Sequence, residues 1–157
     1  MVMLILGIVS MIAVPRYAAF TATERLEGAA RRLTADLSLA QRHARLTSAS
    51  QTVSFNVASS RYQLVGMAHP DHPSQPFEIR IGDEPYRARL VSASFGGDAN
   101  LVYDGFGKPD GGGQVVVAVG AYQKTIQVDA GTGQPRKSVG LIIAPEPDPS
   151  PPPVELE

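Results

Sequence analysis

The chain has no cysteine among its 157 residues, which excludes a disulfide framework and a thiolate metal site and leaves the redox compartment unread. No base precedes its first apolar run, so the basic region that opens a secretory signal peptide is missing. No proline interrupts residues 17–48, and the last fourteen residues, APEPDPSPPPVELE, hold four acids and no base. The two glycine-bearing stretches, Gly105-Phe106-Gly107 and Gly111-Gly112-Gly113, are not followed by Gly-Lys-Ser/Thr or by a predicted helix. That makes them loop glycines rather than a phosphate cradle. Serine, histidine and acid fall into no triad pattern, and Asp83-Glu84 is a solvated loop pair, so the residues point to no catalysis and imply no cofactor.

What is present begins with MVMLILGIVSMIAV, fourteen uncharged residues followed by Pro15 and Arg16. As a helix this run spans about 21 Å, short of the roughly 30 Å of a bilayer core by about six residues. Three readings compete: a signal-peptide apolar region, a buried core helix, and a transmembrane helix whose first residues precede Met1. The core helix is disfavoured because the run leaves no polar face. Residues 17–48 bear on the choice, with Leu26, Ala30, Leu33, Leu37, Ala40 and Ala44 at alternating spacings of four and three. This spacing predicts a long helix with a narrow apolar seam. The arginines at 25, 31, 32, 42 and 45 lie mostly off the seam. A signal peptide does not ordinarily continue into such a helix. Joined, the two segments form one rod of about 70 Å, with a kink expected at Pro15.

Past the helix, the alternation of apolar and polar residues predicts strands over Thr52 to Val57, Tyr62 to Val65, Phe77 to Ile81, Arg87 to Ser94, Leu101 to Tyr103, Val115 to Val119 and Lys124 to Val128. Ser59, Ser60 and Arg61 supply a hairpin turn. The proline-rich acidic tail is read as an extended arm outside the core. The resulting division is a helix over 1–48 with its apolar part at 1–14, a β-rich head over 49–143, and a disordered tail over 144–157.

Gly7, the apolar run to Val14, Pro15 and the aromatic Tyr17 resemble the N-terminal helix of type IV pilins and type II secretion pseudopilins. The order of Leu101 to Tyr103, Gly105-Phe106-Gly107-Lys108-Pro109, Val115 to Val119, Ile126 to Val128 and Gly131-Thr132-Gly133 narrows the resemblance to the GspH/FimT group of minor pseudopilins. The resemblance implies an α+β, pilin-like fold: a long helix packed on an antiparallel β head. It also implies a precursor cut by a prepilin peptidase after a glycine, a methylated new N-terminus and a glutamate five residues on, none of which falls within this sequence. Anchored on Gly7 and Pro15, it places about seven residues before Met1, in line with the shortfall deduced from bilayer thickness.

The expected role is that of a minor pseudopilin of a type II secretion pseudopilus, single-pass in the inner membrane with its head in the periplasm. Leu4, Leu6, Gly7, Ile8, Ile12 and Pro15 would serve as the membrane and filament helix, and Leu26, Leu33 and Leu37 as the seam between stem and head. Its partners would be inner-membrane lipid, then sister subunits. One alternative is a minor pilin of the FimT type that contacts DNA through Arg136 and Lys137; two adjacent cations are a thin footprint for phosphate binding. Another is a secreted soluble protein with a signal peptide. His69-Pro70-Asp71-His72-Pro73 groups two imidazoles and a carboxylate, but the only other histidine, His43, is on the helix and no thiolate completes a shell, so a solvated loop is expected there.

Overall fold

The computed structural model describes the backbone of residues 2–138 and 142–143 and the side chains of residues 20–138. One helix, α1 (Val2–Thr47), runs unbroken through Pro15 for 46 residues. It ends where Ser48 takes a positive φ of 51° and the Ala49 amide donates to the Ala44 carbonyl at 3.3 Å. This is the six-to-one bond of a Schellman cap, with serine in the place glycine usually fills.

Among the described residues nine strands follow: β1 (Gln51–Asn56), β2 (Arg61–Ala68), β3 (Pro76–Arg80), β4 (Arg89–Phe95), β5 (Asn100–Tyr103), β6 (Gly113–Val119), β7 (Tyr122–Val128), β8 (Pro135–Lys137) and β9 (Ile142–Ile143). They form two antiparallel sheets, one ordered β3-β2-β1-β5 and the other β4-β6-β7-β8, with β9 also on β7. The expected strands are all found, with shifted ends. Strand β4 starts two residues later than expected because Arg87 has φ 47°, outside the extended region. Strand β2 runs three residues further, to Ala68, across a bulge that Gly66 accommodates at φ 79°. Strands β8 and β9 were not expected, being too short for alternation to show. Arg136 and Lys137 therefore lie within a strand instead of after the last one.

The core lies between α1 and the sheets. Leu26, Ala30, Leu33, Leu37, Ala40 and Ala44 are fully buried, and each leucine contributes about 1.5–3 kcal/mol by leaving water. They meet Val53, Leu64, Val115, Val117 and Ile126, the inward residues of both sheets. Phe55 of β1 stacks on Phe95 of β4 at 5.4 Å, which joins the two sheets at the side. One α-helix against antiparallel sheets makes this an α+β fold.

Candidate assembly surface

Beside the bond from Arg45 Nε to the Phe106 carbonyl at 3.0 Å, three polar contacts fix the stem helix to the head, and each depends on a residue far away in the chain. At the first, Glu27 of α1 accepts from Lys124 of β7 and, at 2.8 Å, from Lys137 of β8, while Arg31 reaches it at 2.9 Å. The hydrogen bonds from Lys124 and Lys137 lower the pKa of this carboxyl from 4.5 to about 2. At the second, Asp36 is buried and one of its oxygens accepts from Arg32 Nε at 2.9 Å and from the Tyr62 hydroxyl at 2.6 Å. Burial, and then the Asp36 charge, push the pKa of the Tyr62 hydroxyl well up, so it remains a donor. At the third, the Gln41 amide nitrogen donates to the Gly107 carbonyl at 2.8 Å and to the Thr132 carbonyl at 2.7 Å. Buried amides that lose such partners are costly, so Gln41 clamps both loops against the helix.

Glycine is required where those loops close. A Cβ on Gly133, whose φ is 69°, would stand 2.6 Å from Gln41 Nε2 and 2.8 Å from the Gly107 oxygen. One on Gly113 would stand 2.1 Å from the Ser94 carbonyl oxygen on the neighbouring strand. The loop glycines thus have packing reasons of their own, and the Gly105-to-Pro109 stretch is a turn between β5 and β6 rather than a phosphate loop.

Leu4, Leu6, Gly7, Ile8, Ile12 and Pro15 belong to the helical backbone of α1, but their side chains lie outside the described residues. Among the described residues no helix is long and apolar enough to cross a membrane. Leu26, Leu33 and Leu37 are at most 1% exposed and sit in the core. Arg136 and Lys137 do not act as a pair: Lys137 is bound to Glu27, while Arg136 lines a shallow recess with Asp129 and Gln127. His69 and His72 come together, their rings 5.4 Å apart, and the Asp71 amide donates to His69 Nδ1 at 3.1 Å. That bond turns one imidazole nitrogen inward on its own loop. No three His, Asp or Glu side chains among the described residues are placed to hold a metal. The tail, residues 144–157, is outside the described residues.

The residues missed by sequence reasoning are Glu27, Asp36, Gln41 and Phe106. Glu27, Asp36 and Gln41 each carried a faint signal, standing next to the seam residues Leu26, Leu37 and Ala40, whereas Phe106 carried none. Phe106 is 88% exposed at the head surface and Leu46, at the end of α1, is 85% exposed. Among the described residues these two, with Phe20, are the large apolar side chains most open to contact with other molecules.

No protein-family model and no curated protein matches the chain. Two solved structures do resemble it. The minor pseudopilin EpsH from the type 2 secretion system of Vibrio cholerae superposes with a TM-score of 0.55 at 12% identity, over 73% of this chain and 96% of that one. The type IV minor pilin FimU of Pseudomonas aeruginosa superposes with a TM-score of 0.53 at 14% identity, over 76% of this chain and 92% of that one. The chain therefore has a pilin-like fold, the architecture of a minor pseudopilin and a minor pilin.

Proposed function

We propose that this chain is a minor subunit of a pilus-like filament, most closely of the type II secretion pseudopilus kind. The observation that carries the reading is the two-part character of α1. Its start is apolar all round in sequence, whereas from Ala22 onward a narrow seam is packed into the core of the head. A helix needed only to support the head requires an apolar stripe and no more. The likeness to EpsH supports the assignment.

In this reading residues 1–48 are the stem, with 1–14 as the membrane and filament part, 49–143 the periplasmic head, and 144–157 a tail. A prepilin peptidase processes the precursor. Before assembly inner-membrane lipid surrounds Leu4, Leu6, Ile8 and Ile12; afterwards the helices of sister subunits do. The helix keeps its backbone hydrogen-bonded internally in both settings, which allows the exchange. The role is structural.

A type IV pilus subunit is the second reading, favoured by the likeness to FimU. DNA contact through Arg136 and Lys137 is the weaker form of that reading, because Lys137 is already bound to Glu27. Fractionation tests the main proposal. The full chain is expected to stay with membranes after an alkaline wash, and the Ile5→Lys, Ile8→Lys double variant to leave them with its head folded. Retention of the variant overturns the assignment. N-terminal sequencing of the exported protein supplies a second check, since a cut beyond Pro15 belongs to a secreted protein.

A further inference from the structure

The loop carrying Phe106 is held at almost every polar atom, yet its aromatic ring is left in water. Asp104 Oδ1 accepts from the Phe106 amide at 2.9 Å and from the Lys108 amide at 2.8 Å. The Asp104 amide donates to the Lys108 carbonyl and the Gly107 amide to the Asp104 carbonyl, both at 2.8 Å. From α1, Arg45 Nε donates to the Phe106 carbonyl at 3.0 Å and Gln41 to the Gly107 carbonyl at 2.8 Å. An exposed ring on so rigid a mount loses little freedom when it is covered, which is what a binding anchor requires.

Beside this ring runs a groove of about 320 Å³ lined by Arg45, Gly107, Lys108, Gly131, Thr132 and Gln134. It holds two cations and no carboxylate, and among the described residues neither cation has an ion-pair partner. The groove thus suits an extended segment that alternates acids with residues able to lie flat on an aromatic face. Prolines do so, with their backbone already restrained.

The chain itself carries such a segment: residues 145–149 read Pro-Glu-Pro-Asp-Pro. They follow β9, which pairs with the start of β7, Ile143 opposite Tyr122. Lys124, two residues further along β7, reaches Glu27, whereas the groove is at Arg45. Eighteen residues of helix separate Glu27 from Arg45, about 27 Å, and Tyr122 lies about 7 Å further off in the same sense. The five residues from Ala144 to Asp148 span at most about 18 Å when fully extended. The acids of this segment therefore fall short of their own groove.

We propose that the groove between Phe106 and Thr132 binds residues 145–149 of a second copy of the chain, so that heads dock pole to pole. The prolines pack on Phe106, and Glu146 and Asp148 pair with Arg45 and Lys108. Such a contact joins unlike surfaces and repeats along a line instead of closing on itself. It goes beyond the filament reading, and membrane retention, read separately, does not depend on it.

Sedimentation of the full chain in neutral detergent tests it. The chain is expected to associate with rising concentration, at least tenfold more weakly as Phe106→Ala or as Glu146→Lys, Asp148→Lys. The decisive sample is an equimolar mixture of those two variants. One retains an intact segment and the other an intact groove, so the mixture forms a one-to-one complex that neither forms alone. Phe106 is exposed, so its loss leaves folding intact. A mixture that stays dissociated overturns the proposal, as does association that Phe106→Ala leaves unchanged. Association that responds to Phe106→Ala but not to the tail charges also overturns it, by assigning the ring to another surface.

Discussion

Tyr62 of β2 donates its hydroxyl to Asp36 of α1 at 2.6 Å, inside the core and between residues 26 apart in the chain. The same carboxylate oxygen receives Arg32. With the Glu27 and Gln41 contacts the Tyr62 bond holds the axial position of the helix, which an apolar seam alone leaves free to slide by a turn. The stem is thereby indexed to the head by a polar contact as well as held by leucines.

Removing only the hydroxyl measures the indexing bond. Tyr62→Phe is expected to lower stability by about 1.5–3 kcal/mol, the range for hydrogen bonds to a charged partner. Urea unfolding of the head checks this by a lower midpoint at unchanged slope. An unchanged midpoint means that the bond adds nothing net.

Leu33 stands at the centre of the seam with no exposed surface. Leu33→Ala is expected to cost about 2–5 kcal/mol through lost transfer and a residual cavity. Leu33→Asp adds an unpaired buried charge and should release the stem from the head altogether. Head melting unaltered by either change contradicts the packing described.

Glu27 gives the stem contact a pH signature. Its pKa is depressed in the folded protein, from 4.5 to about 2, so the folded state binds its proton less readily than the unfolded chain. The stabilisation is complete above about pH 4.5 and is lost as pH falls toward 2. Glu27→Gln should flatten the acid limb of stability in that window, and in the unchanged protein added salt should weaken the same contribution. Identical acid limbs for the two proteins contradict the assignment to Glu27.

Gly133→Ala introduces a Cβ where φ is 69° and Gln41 lies 2.6 Å away. Left-handed backbone costs an L-residue about 1–2 kcal/mol, and displacing Gln41 from its two carbonyls adds about 1–3 kcal/mol. Gly120→Ala provides the comparison, since its φ is 57° but nothing lies within 4 Å of the new carbon. The melting temperature should fall clearly further for Gly133→Ala; equal losses indicate that only backbone strain is felt.

Much of the architecture was legible before any coordinates. A four-three spacing from Leu26 to Ala44 and a two-residue alternation such as Val53, Phe55 are local patterns, and they suffice for one helix followed by strands. What escaped is non-local. Lys137 reads in sequence as a free neighbour of Arg136, because its partner Glu27 is 110 residues away. Gln41 looks like an ordinary polar helix residue until two loops 66 and 91 residues distant close on it. The exposure of Phe106 was equally hidden, since an aromatic in a glycine-rich turn carries no sign of which way the turn faces.

Incorporation into a filament through the front of α1, as proposed above, has a decisive assay. Filaments are sheared from cells that express the full chain, and their subunits are identified by mass spectrometry. The chain is expected in that fraction, at a low ratio to the major subunit, and is expected to be missing from it when Ile5 and Ile8 are lysines. Failure to find the unchanged chain there, or equal recovery of the lysine variant, contradicts the proposal.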